Sequence, residues 1–77
     1  MKTLYIVDRT ARQYPFMVNG QLLLVCGDKE IEFDGSEESV NFLYELVANG
    51  QCFMIKQGEN INIFRGENLI GANVLEN

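Results

Sequence analysis

The chain has no histidine, one proline, two cysteines and only six lysines and arginines. Lack of histidine removes the commonest general acid and base, the usual metal ligand and the usual activator of a serine or cysteine nucleophile. Six cations against eleven carboxylates leave a net charge of −5. That balance argues against direct nucleic-acid binding, where cationic side chains supply most of the affinity. The longest apolar run, Leu22 to Cys26, has five residues, far short of the roughly twenty that a membrane helix needs. The opening Met1 to Asp8 reads as a strand and not as a signal peptide. Cys26 and Cys52 sit in apolar runs, with no second cysteine at metal-ligand spacing. Small secreted domains usually carry more cysteines, so two reduced thiols in a cytoplasmic chain are expected, with one bridge as the alternative.

What is present fits one small domain over residues 1–77. At 77 residues and 47% apolar content, the core is small and the fold lies near the lower end of what a single chain sustains. Lys2 to Asp8 has apolar residues on both faces. A polar loop, Arg9 to Gln13, leads to a strand over Tyr14 to Val18, where Pro15 favours an edge. Asn19-Gly20 has the composition of a tight hairpin turn. Gln21 to Cys26 reads as a central strand buried on both faces. After Gly27-Asp28, Glu30 to Asp34 alternates, with Ile31 and Phe33 inward.

At Ser36 the period changes to that of a helix. Ser36 is a suitable N-cap, Glu37 and Glu38 complement the dipole, and Gly50 fits the position that closes a helix ending near Asn49. Val40, Leu43, Tyr44 and Val47 form the expected core stripe, widened by Leu46, while Phe42 projects among Glu38, Glu45 and Asn49. Strands follow over Gln51 to Lys56, Asn60 to Phe64 and Asn68 to Leu75, the last with a bulge or bend at Gly71. The fold class is therefore α+β, in the order ββββαβββ, with a mostly antiparallel sheet of six to seven short strands and one amphipathic helix after the fourth.

The most distinctive feature is acidic. Asp28, Glu30, Glu32, Asp34, Glu37 and Glu38 place six carboxylates in eleven residues. The first four are spaced by two, so on a strand they form a row with a step of about 6.6 Å. Such a row can serve only solubility or the protection of an edge strand. It can also dock a basic partner, since like charges in line focus the field and raise encounter rates. Residues 1–20 carry +2 and residues 21–77 carry −7, which makes the molecule electrically lopsided. A calcium loop starting at Asp28 matches the EF-hand pattern poorly, with Phe33 at the sixth position and Ser39 at the twelfth. No cofactor, metal or catalytic residue is assigned: the tyrosines, thiols and serines have no base at a recognisable spacing, and the glycines match no phosphate loop.

The function expected is that of a small acidic, non-enzymatic protein-binding module. It would be an inhibitor or adaptor of the phage or mobile-element type, occupying the basic, nucleic-acid-binding surface of a partner protein, with Phe42 as an aromatic anchor. The alternative is a homo-oligomeric structural or assembly protein, with a homodimer formed through the helix face around Phe42 and Leu46.

Overall fold

The computed structural model describes residues 2–18 and 20–76. Apolar alternation produces strands β1 (Lys2–Asp8), β2 (Gln13–Met17), β3 (Leu22–Cys26) and β4 (Lys29–Glu32), then helix α1 (Glu37–Ala48). Strands β5 (Cys52–Gln57) and β6 (Asn60–Arg65), a 3₁₀ turn (Gly66–Asn68) and β7 (Leu69–Glu76) complete the chain. This is the expected α+β order. The strands divide into two antiparallel sheets, β2-β1-β7 and β4-β3-β5-β6, instead of forming one.

The division turns on the step after β2. Asn19 lies outside the described residues, but the expected β2–β3 hairpin does not form, because the two strands belong to different sheets. The ladder of β2 runs along β1 from Val7↔Gln13 to Thr3↔Met17, and the Val18 amide extends it by donating to the Lys2 carbonyl at 3.1 Å. The chain then crosses to the second sheet. There Cys26↔Lys29 closes the β3–β4 hairpin and Gln57↔Asn60 the β5–β6 hairpin. A pairing irregularity between Val7 and Asp8 against β7 supplies the bulge expected near Gly71.

Between the sheets lie Leu4, Ile6, Leu22, Leu24 and Ile55, all completely buried. Burying each stabilises the fold by about 1.5–3 kcal/mol. Phe64 joins the two layers: its ring lies 5.5 Å from that of Tyr14 and 6.1 Å from Phe16, both edge-on, and stacks on Phe53 at 5.7 Å. The expectation that β3 is buried on both faces is corrected. Leu22 and Leu24 are buried, but Leu23 and Val25, on the opposite face by alternation, are only half-buried, with side chains of neighbouring strands as their cover.

Both ends of α1 follow the sequence. The Ser36 hydroxyl accepts from the Ser39 amide at 3.3 Å. At the other end the Gly50 amide donates to Val47 and the Gln51 amide to Leu46, the paired bonds of a Schellman motif, which need Gly50 at φ 65°. The helix face differs from expectation. Ser39, Phe42, Leu43 and Leu46 are buried, while Val40 and Val47 are half-buried and Tyr44 remains 49% exposed. A buried serine is tolerated because its hydroxyl donates to the Ser36 carbonyl at 2.9 Å, so the inward stripe runs 39, 42, 43, 46, with Tyr44 outside it. Phe42 is only 9% exposed and Leu46 2%, so the Phe42 ring does not project from the helix.

Candidate functional site

The six carboxylates are exposed, but they do not form one line. Strand β4 ends at Glu32, so only Glu30 and Glu32 share a strand face. Asp28 sits in the turn before β4, and Asp34 lies beyond its end. Glu38 lies on the other side of β4, around a shallow dent shared with Lys29, Ile31, Asn41, Phe42 and Glu45. There the Lys29 ammonium stands 4.6 Å from the Phe42 ring centroid, a cation–π contact that covers the ring. Glu37 and Glu38 occupy the first turn of α1, where the dipole favours them.

Asp34 is engaged in a structural task. Its Oδ1 accepts from the Ser36 amide at 2.9 Å and, at 3.2 Å, shares the one Ser39 hydroxyl proton with the Ser36 carbonyl. Hydrogen bonds from Ser36, then from Ser39, hold its carboxyl below the usual aspartate range against a smaller opposing effect of burial. Asp8 plays a similar part in the β1–β2 loop. Its Oδ1 accepts from the Thr10 hydroxyl at 2.6 Å and from the Thr10 and Arg12 amides, each at 2.9 Å. Its pKa is lowered, first by the Thr10 hydroxyl, with partial burial opposing. These two carboxylates organise a helix start and a loop. By contrast, Asp28, Glu30, Glu32, Glu37 and Glu38 have no lysine or arginine within 4 Å among the described residues, where the ion pair formed is Arg12 with Asp8.

Glu30 and Glu32 acquire apolar neighbours that sequence reasoning missed. Cross-strand register pairs Glu32 with Leu23 and Glu30 with Val25, and the two rows continue across β5 and β6 through Lys56 and Ile61 and through Met54 and Ile63. Alternation puts all eight on the outer face of the four-stranded sheet. Leu23, Val25 and Met54 are half-buried, whereas Ile61 is 56% and Ile63 73% exposed. The signal was available: Phe64 is the large aromatic of β6, and burying it places Ile61 and Ile63 on the outer face. Cys26 and Cys52 are free. Cys26 lies two residues from buried Leu24 and Cys52 two from outward Met54, so their side chains leave opposite faces, and the Cys26 thiol donates to the Cys52 carbonyl at 3.4 Å.

Comparison with known protein families, curated proteins and solved structures returns no match to this chain.

Proposed function

We propose that this protein is a small non-catalytic module, an inhibitor or adaptor of the kind encoded by mobile elements. It docks the basic, nucleic-acid-binding surface of a cytoplasmic partner protein through the β4 edge. The observation that carries this reading is the pair Glu30 and Glu32: exposed, with no lysine or arginine within 4 Å among the described residues, and flanked on the same face by half-buried Leu23 and Val25. Unpaired carboxylates give attraction and orientation, and the adjoining apolar row gives area that loses water on contact. Asp28 extends the negative edge, and Glu37 and Glu38 strengthen the field around it. Phe42 contributes by positioning Lys29 and not by direct contact. The reading is non-catalytic because the chain lacks histidine and its two shifted carboxyls, Asp8 and Asp34, are committed to a loop and a helix cap.

Affinity purification from the native cell, washed at low and high salt, tests this. A basic protein retained at low salt, released at high salt and lost with Glu30→Lys plus Glu32→Lys is the expected result. Retention that is indifferent to salt and to both substitutions would overturn it.

A further inference from the structure

We infer that β6 pairs antiparallel with β6 of a second copy, joining two four-stranded sheets into one of eight strands. The proposal concerns the edge opposite β4 and does not rest on the acidic docking reading. Four strands end the two sheets: β2 and β7, β4 and β6. An unguarded edge is a template for another strand, and proteins protect edges with charge, proline, shortness or irregularity. Strand β2 contains Pro15, β7 has the pairing irregularity near Gly71, and β4 is four residues long with two glutamates. Strand β6, Asn60–Arg65, has six residues, no proline and no charge before Arg65. Its free side opens on a groove of about 370 Å³ that reaches Asp8 and Tyr14.

The occupant follows from the charges. A two-fold axis through Asn62 sets residue n opposite residue 124 − n of the other copy. Asn62 then meets Asn62, whose amide can both donate and accept, and exposed Ile61 meets Ile63. Arg65 meets Glu59, once at each end of the pair. Both are exposed, and neither has an ion-pair partner within the chain among the described residues. Two β-branched pairs and two opposite-charge pairs in one register are the interactions that stabilise antiparallel strands, and an isologous contact requires this self-complementarity.

Sedimentation equilibrium of the full chain from about 1 µM to 1 mM, with variants, tests the register; the range spans weak to moderate affinity. Arg65→Glu alone, or Glu59→Arg alone, turns two attractive pairs into two repulsive ones and should weaken the dimer by about tenfold or more. The double variant should recover to within about twofold, since it restores both pairs in reverse. A merely structural role for either residue would not give that rescue. In a chain with Cys26 and Cys52 replaced by Ser, Asn62→Cys should form a symmetric disulfide on mild oxidation, while Glu32→Cys should not. A monomer throughout the range, charge reversals without rescue, or cross-linking at position 32 instead of 62 would overturn the proposal.

Discussion

The two edges of the four-stranded sheet, β4 and β6, are built from the same kind of backbone and meet solvent in opposite ways. Strand β4 is short, alternates Glu30 and Glu32 outward, and is tied by Lys29 to the Phe42 ring of the helix. Strand β6 carries Ile61 and Ile63 outward and is anchored by one ring, Phe64, packed against Tyr14, Phe16 and Phe53. One edge repels a like strand and the other invites it. In a chain this small, with little surface to spare, the two proposed contacts fall on different edges, so that one sheet would join a second copy while keeping both acidic edges outward for a partner. The dimer would then present two docking edges, with a gain in avidity where the partner offers two basic surfaces within reach.

The largest way to break this contrast is Phe64→Ala. Removing the ring leaves a cavity between the layers and should cost about 3–5 kcal/mol, read by urea unfolding, with β6 amides exchanging before those of β4. A loss below about 1 kcal/mol would mean that β6 is held by something other than this ring, since that is less than a buried aromatic contributes. A smaller change sharpens the contrast from the other side. Ser36→Ala removes the cap that follows β4 and should cost about 1 kcal/mol in thermal unfolding, with dimer affinity unchanged. A weaker dimer in that variant would show that the two edges are not independent.

Much of the fold was legible because its signals are local. Ser36 and Gly50 mark the helix ends through hydrogen bonds within a turn, and the two-residue turns after Cys26 and Gln57 fix hairpins whose strands are adjacent in sequence. What was not legible depends on distant partners. Asn19-Gly20 lies between two apolar segments whether the chain folds back or crosses to another sheet, and the outcome is set by the β1 ladder taking up β2. The helix stripe shifted because Ser39 can be buried once Ser36 satisfies its hydroxyl, a fact that hydropathy does not register. The acidic site was legible in composition but not in geometry: alternation ends with β4 at Glu32, so Asp34 turns to the helix cap and Glu38 falls on the side of Lys29. The outer face of Leu23, Met54 and Ile63 needed the strand order, which no local spacing contains.

Amide hydrogen exchange followed residue by residue at rising protein concentration tests the division of labour between the edges most directly. Amides of Asn60 to Arg65 should become more protected as concentration rises, while those of Lys29 to Glu32 keep a constant rate. Equal protection at every concentration, or protection that grows along β4 and not along β6, would contradict the account.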